Sequence, residues 1–376
     1  MIHKRVSFVM IILAICSCST AGQGEPPATD ERVSRLSDHF DGEKYFNPLP
    51  PESAAESVQR PAPERRGLFS GWVWGWIFGH EDWPQWPVRS LLAASLTPPV
   101  PAVHGGLRVT AVGHATFLIQ MDGLNILTDP IWSERCSPVS WYGPKRSHPP
   151  ALGFDQLPRI DAILLSHNHY DHLDLPTLER FPPYPERRVV TGLGNGELVR
   201  ESAVGQVSEL DWWQTVALSE KVTVTFVPAQ HFSGRTLWDR NFTLWGGFVL
   251  SGPSGTLYFA GDTGYGAFLN DIKRRFPKIS VAILPIAPFR PMDPSAQEKE
   301  AIRKRSIHMN PEEAVQAHRD LGAELSIAAH FQTFQLGREP YDEAPQRVRA
   351  ALASRKVAES TFIVPEFGRA YEFSGR

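Results

Sequence analysis

The short apolar run Ile163-Leu164-Leu165 ends at Ser166 and is followed at once by His167-Asn168-His169-Tyr170-Asp171-His172-Leu173-Asp174. No other stretch restricts so tightly what this chain can fold into. A run of that length suits a buried strand. Imidazole and carboxylate are the ligands preferred by zinc and similar borderline ions. A stiff strand fixes where the following loop starts, so several side chains can be turned onto one point. His167 and His169 can face one ion, while Asp171 and His172 face a second beside it. One histidine in such a loop is usually a hydrogen-bonded loop residue; this density of ligand types points to metal.

Two ions need more ligands than one loop supplies, and the sequence offers them at other strand ends. Val222 to Val227 runs into Gln230 and His231, Thr256 to Ala260 into Gly261 and Asp262, and Leu325 to Ala329 into His330. A sheet-edge site is assembled in this way from distant parts of a chain, and glycine beside Asp262 permits close approach of backbone and metal. The expected grouping is His167, His169 and His231 on one ion, Asp171, His172 and His330 on the other, with Asp262 bridging. Asp129, at the end of the strand Leu124 to Thr128, is a candidate to orient a ligand histidine from behind; a turn-initiating role before Pro130 is the alternative.

Lys4 and Arg5 precede the apolar run Val6 to Ile15, the layout of a secretory signal over residues 1–17. Ile15-Cys16-Ser17-Cys18 resembles a bacterial lipobox, which makes Cys18 the candidate lipidated residue and the cell envelope the expected location. Residues 18–66, rich in Pro, Ala, Glu, Ser and Arg, read as an extended tether whose His39-Phe40 and Tyr45-Phe46-Asn47-Pro48 can dock on the main domain. Residues 67–105 carry Trp72, Trp74, Trp76, Trp83 and Trp86 among glycines, fitting either a cover over the core or a lipid contact. The folded domain is expected over 106–376. Strands are expected at 107–111, 115–121, 124–128, 162–166, 188–191, 222–227, 243–251, 256–260, 281–285 and 325–329; helices at 175–180, 195–201, 311–321 and 344–353. With a formal net charge of -3 and no long basic block, nucleic acid is not an expected partner. Cys136 is a lone thiol in the folded part, expected to be packed rather than reactive.

The ordered series of segments resembles the metallo-β-lactamase superfamily, most closely the N-acyl-phosphatidylethanolamine-hydrolysing phospholipases D. It comprises Gly113-His114-Ala115-Thr116, Leu127-Thr128-Asp129-Pro130, Gly143-Pro144-Lys145-Arg146, Ser166 to Asp174, Glu209 to Trp213, Pro228 to His231, Arg235-Thr236-Leu237, Phe259 to Tyr265 and His308 to Ala314. Phe331-Gln332-Thr333-Phe334 and the charged segment Glu298 to Arg305 depart from the family pattern.

The resemblance implies an α+β fold: an αβ/βα four-layer sandwich of two mixed sheets with outer helices and the metals at one edge. It also implies two zinc ions, with a metal-bridged hydroxide as nucleophile in phosphodiester hydrolysis. The implied substrate is an N-acyl-phosphatidylethanolamine at a membrane surface, giving phosphatidic acid and an N-acylethanolamine. Asp171 and His308 become the catalytic candidates, and Arg235 a candidate for contacting an anionic head group. A lactonase or ester hydrolase acting on a small anionic substrate, and a lipid-anchored envelope protein with a vestigial site, are the competing readings. A homodimer is left open.

Overall fold

β1 (Leu107–Gly113), β2 (Thr116–Met121) and β3 (Leu124–Thr128) form an antiparallel meander in the computed structural model, which describes residues 37–47, 83–90, 105–202, 204–290 and 307–373. Asp122 and Gly123 turn the second hairpin with φ of 49° and 92°, the positive pair that a tight turn of matching twist requires. β3 then pairs in parallel with β4 (Ala162–Leu165), followed by β5 (Arg188–Gly192) and β6 (Gln206–Leu210). β14 (Ala370–Phe373) lies against β1 and completes a seven-stranded sheet.

The second seven-stranded sheet mirrors this plan. β7 (Thr215–Ala217), β8 (Thr223–Val227), β9 (Gly247–Gly252) and β10 (Gly255–Phe259) are antiparallel neighbours. From β10 onward, β11 (Val281–Pro285), β12 (Leu325–Ala329) and β13 (Phe362–Ile363) run parallel.

β4 shows why its residues had to be a continuous apolar run. Ala162 and Leu164 face the core between the sheets with Phe226, Phe248 and Phe259, whereas Ile163 and Leu165 face an outer cluster with Leu178, Val189 and Val199. A parallel strand buried on both faces has no polar side to alternate with. The outer cluster lies beneath α1 (Leu175–Leu178) and α2 (Gly196–Arg200). On the far side, α3 (Phe268–Arg275), α4 (Pro311–Leu321) and α5 (Glu343–Ser354) cover the second sheet, giving the expected four layers. α4 starts as its sequence dictates: the Asn310 side chain accepts from the Glu313 amide, and the Glu313 carboxylate accepts from the Asn310 amide.

Four strands and one helix lie outside the sequence-based expectation. β7 is a largely exposed edge strand, β14 an edge strand with no fully buried residue, β6 is mixed polar, and β13 is only two residues long, so none carries a strong apolar pattern. α3 does bury Phe268, Leu269 and Ile272 on one face. The strand expected from Thr243 begins only at Gly247, because the preceding residues cross to the first sheet. There Leu244 N–H donates to Leu193 O and Gly246 N–H to Ser166 O.

The tether's described part, residues 37–47, packs onto the domain: Tyr45 is buried, and the His39 ring stacks on Trp212 at 3.8 Å. Trp83 is buried, and Trp86 Nε1 donates to Glu339 O. The signal residues, Cys18, Trp72 to Trp76 and Glu298 to Arg305 lie outside the described residues. Among the described residues no helix is long and apolar enough to cross a membrane.

Candidate metal centre

The C-terminal ends of six strands converge at one edge of the sandwich. The first sheet supplies His114 after β1, Asp129 after β3 and His167 to His172 after β4. The second supplies His231 after β8, Asp262 after β10 and His330 after β12. Three of these residues turn their side chains inward from the left-handed region: His114, Asp129 and His330 have φ of 55°, 34° and 60°. Such conformations are unfavourable without glycine and persist where surrounding contacts over-determine them.

The side chains form two touching groups. His167 Nε2 lies 2.8 Å from His169 Nδ1, which lies 3.2 Å from His231 Nε2. Three nitrogens each about 2.0–2.1 Å from a tetrahedral ion would be about 3.3 Å apart, so two of the three separations are already near that spacing. In the second group, Asp171 Oδ2 lies 3.2 Å from His330 Nε2 and 3.3 Å from His172 Nε2. Asp262 stands between the groups: Oδ2 is 3.2 Å from His172 Nε2 and 3.6 Å from His231 Nε2, while Oδ1 is 3.1 Å from His330 Nε2. All seven residues expected as ligands are therefore brought together, in the expected grouping.

Electrostatics fit a cation. Burial works against charge on Asp171 and Asp262, yet the surrounding imidazoles, His172 foremost, hold both carboxyls well below their usual range. Against the same burial, the carboxylates draw His172 well upward and His330 up to about 9. His167, His169 and His231 go the other way: burial and neighbouring imidazoles keep them neutral, His231 down to about 4. Neutral imidazole and ionised carboxylate are the forms that bind a divalent ion, so the first group is ready for one, whereas an ion in the second would have to displace the protons that the carboxylates hold on His172 and His330.

Asp129 is fully buried behind this cluster. It accepts from His172 Nδ1 (2.7 Å), the Ser166 amide (2.7 Å) and Ser166 Oγ (2.6 Å). It thus orients a candidate ligand as well as ending a strand. His308 Nδ1 lies 3.7 Å from Asp262 Oδ2, beside His231.

Arg235 lies beside the same loop. Its Nη1 donates to the carbonyls of Asn168 and Leu173, both at 2.8 Å, and its guanidinium lies 3.9 Å from the Tyr170 ring centroid. The cation expected to meet a head group also braces the loop that carries His169 to His172. Cys136 is packed as expected, beside Ile131 and Phe334, and burial holds its thiol well above the usual range.

Sequence reasoning gave His114 no role in the site, but its Nε2 is 2.9 Å from Asp171 Oδ2, within the second group. The usable signal was a histidine directly after an apolar strand, the same signal that marked His330.

Gly261 has φ of 59°, and a Cβ there would lie 2.8 Å from Ser166 Cβ. Gly261→Ala is expected to destabilise the fold by about 2–3 kcal/mol, read as a lower denaturation midpoint. An unchanged midpoint would show that Ser166 can give way.

Two mixed sheets with paired histidine–aspartate clusters at one edge define a metal-dependent hydrolase. Residues 124–331 match the family model described as a β-lactamase superfamily domain. An uncharacterized protein of Mycobacterium tuberculosis is 39% identical over 72% of this chain and 69% of its own length. N-acyl-phosphatidylethanolamine-hydrolyzing phospholipase D 1 of Caenorhabditis elegans is 32% identical over 73% of this chain and 78% of its own. Among solved structures, an isothiocyanate hydrolase from Delia radicum gut bacteria aligns with a TM-score of 0.56 at 19% identity, covering 71% of this chain and 99% of its own. The chain belongs to the β-lactamase superfamily, among its metal-dependent hydrolases.

Proposed function

We propose that this protein is a two-zinc phosphodiesterase of phospholipase D type, hydrolysing N-acyl-phosphatidylethanolamine-like lipids to phosphatidic acid and an N-acylethanolamine. The observation that carries the reading is the pairing of two ligand clusters through Asp262, in a chain 32% identical to an enzyme named for that reaction. Two zinc ions, when bound, would supply a water of near-neutral pKa and positive charge for the phosphoryl oxygens.

The chain's own residues complete the chemistry. Asp171, hydrogen-bonded to His114 Nε2, is placed to hold the attacking water and accept its proton. His308, on the Asp262 flank, is placed to protonate the alkoxide that leaves phosphorus or to contact a phosphate oxygen. Ser166, beside the ligands, is committed to Asp129 and His167, which suits attack by water rather than by a side chain. The leader and Cys18 would hold this site at the cell envelope, beside a bilayer-embedded substrate.

Mass spectrometry of vesicles containing N-acyl-phosphatidylethanolamine, after incubation with zinc-loaded protein, tests the reading. Both products are expected from wild type, with loss of about three orders of magnitude in Asp171→Asn. A fully loaded enzyme that releases neither product but opens a lactone would overturn it.

A further inference from the structure

His231 is gripped by a residue 184 positions away in the chain. The Asn47 side-chain amide forms a closed pair with the His231 peptide: Nδ2 donates to His231 O at 2.8 Å, and His231 N–H donates to Oδ1 at 2.9 Å. A neighbouring strand would normally satisfy a peptide in this way, but β8 has ended at Val227, and Asn47 takes the strand's place. Trp245 Nε1 also donates to Asn47 Oδ1 at 3.2 Å, fixing which end of the amide carries oxygen.

Asn47 is itself held firmly. Tyr45 exchanges backbone and side-chain hydrogen bonds with Asn241 (2.9 and 3.1 Å), and His39 Nε2 lies 2.9 Å from Asp211 Oδ1. On its other side, His231 Nδ1 donates to Ile307 O at 2.8 Å, which leaves Nε2 for the cluster with His167 and His169. Ile307 thus sets the ring's tautomer, and Asn47 sets where its backbone stands.

We infer that Asn47 is a positioning residue of the metal centre, and that the N-terminal arm is therefore part of the site rather than a passive tether. The inference rests on the metal reading of the cluster and does not require the phosphodiester substrate. Freed from Asn47, the His231 peptide would lose two hydrogen bonds in a half-buried place, and Nε2 would lose its fixed distance from the other two nitrogens. Partners of this kind, one bond removed from a ligand, typically matter 10–100-fold in metal affinity.

The test uses full-length protein, zinc titration against a competing chelator, the cobalt absorption spectrum and thermal melts of metal-stripped samples. In Asn47→Ala, one zinc is expected to bind about 10–100-fold more weakly, with an altered cobalt spectrum. His39→Ala, which loosens the arm but keeps the Asn47 amide, is expected to weaken zinc binding less than Asn47→Ala does. Should Asn47→Ala fail to fold, Asn47→Asp keeps the acceptor for His231 N–H but sets a charged oxygen against His231 O in place of the donor, and zinc is again expected to bind more weakly. A merely structural role would lower the stripped protein's melting temperature and leave zinc affinity and the cobalt spectrum unmoved, which overturns the inference. Wild type that holds no metal would sink the reading of the site and this inference together; wild type and variant equally loaded would sink the inference alone.

Discussion

Replacing Asp262 by asparagine is expected to lower hydrolysis by about three orders of magnitude or more and to reduce bound metal from two ions to one or fewer per chain. Asp262 touches both groups: one oxygen approaches His172 and His231, and the other approaches His330. Asparagine keeps the shape but removes the charge and turns one acceptor into a donor pointed at imidazole nitrogens. A donor there competes with the cation for the same space. On the proposed two-metal reading this would uncouple the ions and remove the clamp on attacking and leaving oxygens that such chemistry uses. Elemental analysis, activity and a thermal melt on one preparation separate the possibilities. A folded variant retaining both ions would show that the clusters are independent and that Asp262 does not bridge them.

The site was legible wherever an apolar strand ran straight into a ligand residue, as at His167, Asp262 and His330, because a buried strand and a polar terminus leave a sharp edge in the sequence. His114 carries the same edge after β1 and was readable by the same rule. The bracing contacts of Arg235 were not legible, since hydrogen bonds to the carbonyls of Asn168 and Leu173 are long-range geometry with no sequence pattern. Asn47 lies further still from legibility: a single asparagine in a Pro-rich arm looks like any turn residue until the fold brings it to His231. The central strands of both sheets were readable from their apolar runs, whereas the edge strands β7 and β14 pair through the backbone and carry no fully buried side chain. Residues Thr243 to Gly246 looked like strand because they are buried, but their hydrogen bonds go across to the other sheet.

Asp129 separates stability from metal binding in a way that two substitutions can expose. Its carboxylate accepts three hydrogen bonds in a fully buried place: from the Ser166 amide, Ser166 Oγ and His172 Nδ1. Asp129→Ala leaves these donors without a partner and is expected to destabilise the fold by about 3–5 kcal/mol, seen in denaturant unfolding of the stripped protein. Asp129→Asn is expected to lose less stability, since its oxygen can still accept from the Ser166 amide while Ser166 Oγ can turn to accept from the new N–H. Its amide N–H, however, would then face His172 Nδ1 and force that nitrogen to accept. The imidazole proton would move to Nε2, the atom directed at Asp171 and Asp262, and the lone pair a cation needs there would be gone. The asparagine variant should therefore fold and still bind at least one zinc about 10–100-fold more weakly. Tight binding of both ions by folded Asp129→Asn would mean that this carboxylate does not set the His172 tautomer. Equal loss of stability in the two variants would mean that Ser166, rather than His172, depends on the charge.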